Sequence, residues 1–192
     1  MALNFVRKSS MPRRHSYANR GRNWEDWLDI QHAQYAKAGY AFVIRTPPAM
    51  RILKRMDGGK FLAVFAGHGP PDYVAKAGEY SFIMEAKEFK SERWPFSMLP
   101  QHQADQMTAW SNQGENGHGL ILIRSHAHNC TWVVMWRDLK DRWYKWSADK
   151  AAKKRAAPGS ASLTSDELNE IGVRVRGADW LPGAIALTKR EK

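Results

Sequence analysis

Apolar side chains recur at Trp24, Trp27, Leu28, Tyr35 and Ala38, a helical spacing that Gly39 closes as a C′ residue would, which predicts a helix over residues 21–39. The period then changes. Ala41 to Thr46 reads as a short buried strand, stopped by Pro47 and Pro48 because a central strand cannot continue through proline. Between Pro47 and Gly69, two apolar-basic segments flank the turn signal Asp57, Gly58 and Gly59, so this stretch is either a protruding hairpin or a helix-turn-strand excursion. Strands follow at 71–76 and 80–87, then a helix at about 97–112 with Leu99, Gln103, Met107 and Trp110 on one stripe. GLILIRS at 119–125 and TWVVMW at 131–136 read as strands, and a basic helix runs from about 138 to 155. After the local linker APGSAS, Thr164 and Glu167 have capping-box spacing at the start of a short helix. No internal repeat is visible. Helices flanking strands of mixed direction make the expected class α/β, with a mixed central sheet.

Length and charge narrow the function. A chain of 192 residues is long enough for one domain with a real core. Its apolar runs fall short of the ~20 residues a membrane helix needs, so no membrane partner is expected. The N-terminus lacks the apolar stretch of a signal peptide, and the lone Cys130 cannot form an internal disulfide; both fit a cytoplasmic protein. A formal net charge of +11 favours a polyanionic partner, since each neutralised phosphate releases counterions. Nucleic acid leads. Residues 1–18 read as a flexible basic arm carrying Arg13 and Arg14, with Arg20 and Arg22 just beyond it and no acid before Glu25. The insertion at about 47–68 adds Arg51, Lys54, Arg55 and Lys60 against a lone Asp57.

Acidic residues in so basic a chain need a reason. If 71–76 and 80–87 form a hairpin turning at Ala77 and Gly78, Asp72 falls opposite Ile83, and alternation puts Asp72, Glu85 and Lys87 on one face. Glu85 is then the diagonal neighbour of Asp72, roughly 7 to 8 Å away between backbones. Carboxylates held this close repel, and a hard divalent cation relieves the repulsion while keeping water positions open for work on phosphate. Lys87 is placed to orient a water and offset developing charge. The spacing also allows a plainer reading, in which Asp72 starts a turn and Glu85 pairs with Lys87 on a solvated face.

Pro71-Asp72, followed thirteen positions on by Glu85-Ala86-Lys87, resembles the active-site signature of the restriction-endonuclease-like nucleases. Asn19-Arg20-Gly21 with Trp24-Glu25 resembles the opening helix of the RecU family of Holliday junction resolvases, and His102-Gln103 is similar to that family's His-Gln pair. The insertion sits where the family carries its stalk, and the resemblance runs in order from about Asn19 to Lys140. It implies a restriction-endonuclease-like nuclease domain over 19–192, a mixed sheet flanked by helices with a protruding stalk. It implies that Asp72 and Glu85 bind Mg²⁺, with Mn²⁺ able to substitute, and that Lys87 positions the nucleophilic water. Glu25 would add a carboxylate and Gln103 would support the site. The implied activity is metal-dependent cutting of four-way DNA junctions by paired nicks, by a homodimer, with a recombinase as a further candidate partner. One departure is local: Pro70 and Pro71 stand where family members often carry hydroxyl residues.

Other groups point elsewhere. His126, His128 and Cys130 alternate as a zinc site might, but a tetrahedral site needs a fourth ligand and no further cluster is near in sequence. Trp132, Trp136, Trp143 and Trp146 are either core and dimer packing or stacking platforms for unpaired bases. No nucleophile elbow or Cys-His pattern supports covalent catalysis. Two alternatives stay open: a non-catalytic basic DNA-binding or strand-annealing protein, and a related nuclease with another DNA substrate.

Overall fold

The structure, a computed structural model, describes residues 20–154 and 159–190. The basic arm with Arg13 and Arg14 lies outside the described residues. Helix α1 (Arg20–Ala38) ends at Gly39, whose φ of 71° is the left-handed value a helix-terminating glycine accepts without strain.

A six-stranded sheet forms the centre, in the order β1 (Phe42–Arg45), β4 (Tyr73–Ala77), β5 (Tyr80–Phe89), β7 (Gly117–Ser125), β8 (Cys130–Met135) and β10 (Gly172–Val175). Only β5 and β7 are parallel; the other neighbours are antiparallel. The parallel step needs a crossover, supplied by helix α2 (Gln101–Ser111). Strands β7 and β8 are covered on both faces, which is why their sequences are nearly continuous apolar runs. Helix α1 and helix α5 (Leu181–Thr188) cover one face, with Trp24, Leu28, Trp180 and Leu187 against Phe82, Met84 and Leu122. On the other face, α2, α3 (Trp136–Ala151) and α4 (Ser165–Ile171) bring Met107, Leu139, Trp143 and Leu168 against Ile83, Ile121 and Ile123. Contact there is close: a Cβ at Gly119 would lie 2.8 Å from Met107 Cβ and 2.9 Å from Trp136 Cβ.

Several expectations need correction. The strand after α1 is exposed, not buried, because β1 is a sheet edge bonded to β4 alone, leaving Phe42 and Ile44 open. The hairpin turns at Gly78 and Glu79, with Ala77 opposite Tyr80, one residue later than the sequence reading placed it. Gly78 takes φ 57°, so the turn forms where glycine permits it. Helix α3 starts at Trp136 directly after β8, and α2 starts only after Pro100. A two-residue ladder, β6 (Trp94–Pro95) with β9 (Ser162–Leu163), has no counterpart in the sequence pattern. The capping box is present: the Glu167 amide donates to Thr164 Oγ1 at 3.1 Å and the Thr164 amide to Glu167 Oε2 at 2.8 Å.

Of the two forms open to the insertion, the hairpin is the one adopted. Strands β2 (Met50–Arg55) and β3 (Phe61–Phe65) pair only with each other and are exposed throughout apart from half-buried Ala63. Trp132, Trp136 and Trp143 are core residues, at most 1% exposed, which places them out of reach of a base. Among the described residues, no helix is long and apolar enough to cross a membrane.

Candidate active site

Asp72 sits one residue before β4, and its position is fixed from both sides. The Thr46 amide donates to the Asp72 carbonyl at 3.0 Å, and the Thr46 hydroxyl bonds the Pro71 carbonyl. On the other side, the Ala86 amide donates to Asp72 Oδ2 at 2.9 Å. The corrected register, Tyr73 opposite Met84, keeps the face assignment but brings Asp72 level with Glu85 instead of diagonal to it. Asp72, Glu85 and Lys87 share the face covered by α2.

Glu85 is fully buried. One carboxylate oxygen accepts from Lys87 Nζ at 2.9 Å; the other, Oε1, is buried with no hydrogen-bond partner. Ile83 and Ile121 lie beside it on the same face, so its charge is poorly solvated. Desolvation pushes its pKa up to about 8; Lys87 opposes the rise and the neighbouring Asp72 carboxylate adds to it. The Lys87 side chain is 13% exposed, enough for its ammonium to be shared between Glu85 and a phosphate or water at the surface.

Asp72 and Gln103 line an open cleft of about 810 Å³ together with Glu25, Arg45, Thr46 and Pro47. Gln103 stands in the first turn of α2, and its Oε1 is buried without a partner. Glu25 is on the cleft wall but is not brought to Asp72 and Glu85: its carboxylate is ion-paired with Arg45, which also donates to Asp29 at 2.7 Å. The ring of His102 stacks on His68 with 4.2 Å between centroids, joining α2 to the chain that returns from the hairpin. Arg45, Thr46 and His68 were missed by sequence reasoning. For Arg45 a signal existed in Glu25 and Asp29, one helical turn apart, a pair of acids that a fold must either solvate or neutralise.

The donor set can be tested against a divalent cation. A hard cation takes oxygen ligands and, when it works on phosphate, is held by one or two protein carboxylates plus water and substrate oxygens. Buried Glu85 Oε1 and Gln103 Oε1 without partners, beside Asp72, fit that need. Among the described residues, no three His, Cys, Asp or Glu side chains converge as a complete metal site. The chain thus offers two carboxylates, with room for substrate. His126 Nε2 lies 2.6 Å from Glu88 Oε1 and His128 bonds the Glu92 carbonyl at 3.3 Å, so that alternating pair is spent on local contacts.

The basic hairpin has its own order. A bulge between Ile52 and Lys54 reverses the alternation, so Arg51 and Lys54 share a face with Val64 and Leu62. Arg55 is on the opposite face, its guanidinium 5.6 Å from the Phe61 ring centroid. Lys60 is exposed beside the tip. Arg20 and Arg22 fall in the first turn of α1.

The family model described as Recombination protein U matches residues 19–172. No curated protein matches the chain. Among solved structures, the chain is similar to Hjc of Archaeoglobus fulgidus, a Holliday junction resolvase from an archaeal hyperthermophile, with 14% identity, a TM-score of 0.48, and coverage of 84% of this chain and 99% of that one. It is also similar to the protein SSO0001, with 14% identity, a TM-score of 0.33, and coverage of 72% of this chain and 64% of that one.

Proposed function

The chain belongs to the RecU family of recombination proteins, and from that premise we propose that it is a divalent-metal-dependent endonuclease that resolves four-way DNA junctions. The observation that carries the reading is the buried, half-partnered Glu85 carboxylate level with Asp72 and bonded to Lys87. A carboxyl kept this dry holds its proton until a further positive charge takes that proton's place.

In this reading Asp72 and Glu85 hold Mg²⁺, or Mn²⁺ in its place, and Gln103 supports the site. When bound, the cation supplies charge for the scissile phosphate and makes a water acidic enough to attack it. Glu85 gives up its proton when it becomes a ligand. Lys87 Nζ donates to the attacking water and offsets charge on the phosphate. Arg45 holds Glu25 at the cleft wall, so Glu25 joins as a further carboxylate only when that ion pair opens. Arg51, Lys54, Arg55 and Lys60 on the hairpin, together with Arg13, Arg14, Arg20 and Arg22, neutralise phosphates and select branch shape rather than base sequence.

A homodimer suits this task, because a four-way junction has approximate two-fold symmetry and two identical sites give paired nicks on opposed strands. Exposed Trp27 and Ile30 on α1, with Tyr40, Phe42 and Ile44 at the unpaired β1 edge, support that assembly. A recombinase that forms such junctions is the fitting partner.

The test incubates the protein with labelled four-way junction and with linear duplex, in Mg²⁺ or in chelator. Junction cut only with Mg²⁺, and far faster than duplex, is the expected result. Equal cutting of duplex would make it a general nuclease, and metal-independent binding with no cutting would make it a DNA-binding protein.

A further inference from the structure

A second cavity, of about 330 Å³, lies at another end of the sheet. On β5 and β7, Ser81 is level with Gly117 and Glu85 with Ile121, so its floor, Gly117 to Gly119, is two to four residues, roughly 7 to 13 Å, along the strand from the carboxylates. Its walls come from the end of α2, the start of β7 and the first turns of α3.

Three features of this cavity ask for an anion. His118 is 8% exposed, and its Nε2 is buried with no hydrogen-bond partner. Arg137 is anchored by Nη2 to the Leu187 carbonyl at 2.5 Å, which leaves its buried Nε unpaired. The nearest carboxylate oxygen to that Nε, on Asp138, is 3.7 Å away, beyond hydrogen-bond reach. Finally, α3 has 16 residues and begins here with no side chain capping its N-terminus, so first-turn amides and the positive end of the helix dipole face the same region. Lys140, one turn further on, adds a second cation to the lining. Glu115 in the lining and Asp138 in the first turn of α3, ion-paired with Arg137 at 3.7 Å, are the opposing charges, two carboxylates against Arg137 and Lys140.

Burial, with Arg137 nearby, holds the His118 pKa below the usual histidine value, so the ring meets an anion as a neutral hydrogen-bonding group and contributes no charge of its own. A buried donor without a partner costs about 1–3 kcal/mol. One tetrahedral oxyanion has enough acceptors to satisfy the guanidinium Nε, the imidazole and the helix amides together. We propose that this cavity is a phosphate-binding site, separate from the cleft at Asp72, for the phosphate of a nucleotide or of a DNA arm. Its volume, near the lower end of the ~300–1,000 Å³ of small-ligand sites, suits a mononucleotide or one backbone phosphate.

The experiment titrates the intact, metal-free protein with inorganic phosphate and, separately, with deoxyadenosine monophosphate, reading the histidine ring resonances by NMR. A saturable shift at His118, with dissociation in the millimolar range or tighter, is expected. Lys140→Gln, which breaks no hydrogen bond or ion pair among the described residues, is expected to weaken that binding by about tenfold without lowering Tm. No shift at His118 with either probe, or the same affinity in Lys140→Gln, would overturn the assignment and leave the cavity to water. Binding of labelled four-way junction then separates the sources. If Lys140→Gln lowers the salt slope by about one, the phosphate belongs to DNA; if junction binding is unchanged, it belongs to a free nucleotide. Since no metal or cleavage is involved, failure here leaves the nuclease reading intact.

Discussion

On the α1 side of the sheet, His32 is 7% exposed and accepts a hydrogen bond from Trp180 Nε1 at 2.9 Å, while on the α2 side Glu85 is fully buried with one oxygen unpartnered. Both groups are held neutral by burial, His32 with its pKa lowered to about 4 and Glu85 with its pKa raised to about 8. They differ in what completes them. The neutral imidazole of His32 has its acceptor filled from within the chain and sits edge-on to Tyr73. Glu85 is completed either by a proton that it shares with Asp72 or by an added positive charge that displaces that proton. A buried titratable group closed on itself supports the fold, and one left incomplete beside a carboxylate that lines a cleft, as Glu85 is beside Asp72, supports chemistry.

The sharpest way to break this contrast is substitution at the two sites. Asp72→Asn and Glu85→Gln are each expected to lower junction cutting by on the order of a thousandfold, since each removes charge that the cation needs. Junction binding, measured in chelator by a mobility shift, should stay within about twofold because the phosphate contacts are elsewhere. His32→Gln should leave the cutting rate of the folded protein unchanged. Normal cutting by Asp72→Asn would remove the metal assignment.

The second test uses pH. In the metal-free fold Glu85 keeps a proton between about pH 4.5 and 8 that the unfolded chain releases, so stability falls as pH rises through that window. The loss is about 3–5 kcal/mol at ~1.4 kcal/mol per pKa unit. His32 has the opposite sign: below pH 6.5 the unfolded chain takes up a proton that the fold refuses, so stability falls as pH drops from 6.5 toward 4. That loss is about 3 kcal/mol. The two oppose one another between about pH 4.5 and 6.5, and above that Glu85 acts alone. Denaturant titrations should show Glu85→Gln removing the decline above pH 6.5. Mg²⁺ should restore stability to the unaltered protein at pH 8 and give the variant nothing. A flat pH profile for the unaltered protein would show that Glu85 is solvated after all.

Much of the active face was legible because strand parity is robust: a turn misplaced by one residue shifted the register by two and left Asp72, Glu85 and Lys87 on the same side. Distance was less legible than direction, so Asp72 came out level with Glu85, not diagonal. The Glu25–Arg45 pair could not be read, since it depends on how α1 packs across β1. The exposure of Phe42 and Ile44 was hidden for the same reason, as an apolar run does not reveal whether its strand is an edge. Helix α5 carries Pro182 and Gly183 in its first turn, residue types that in a bare sequence signal a break. Proline is tolerated in the first turn, and a Cβ at Gly183 would come within 2.9 Å of Val175 Cγ1, so that glycine serves packing. Helix α3 follows β8 with no polar break, and no residue in Val134-Met135-Trp136 signals the change of period.

The smallest expected effect tests the closed side of the contrast. The Tyr35 hydroxyl donates to Asp179 Oδ1 at 2.6 Å and accepts from the buried Leu181 amide at 3.1 Å, tying α1 to the start of α5. Desolvation, followed by the bond to Asp179, raises its pKa well above the ordinary tyrosine value, so the hydroxyl stays protonated at any working pH. Tyr35→Phe deletes one oxygen and leaves the Leu181 amide without its partner, for a loss of about 1–2 kcal/mol. Because that network is complete within the chain and remote from Asp72, the variant should lose a few degrees of Tm and keep its junction-cutting rate. A large fall in cutting with little change in Tm would mean that the α1 side also takes part in the chemistry, and that closure of a buried polar group does not separate structural from catalytic residues here.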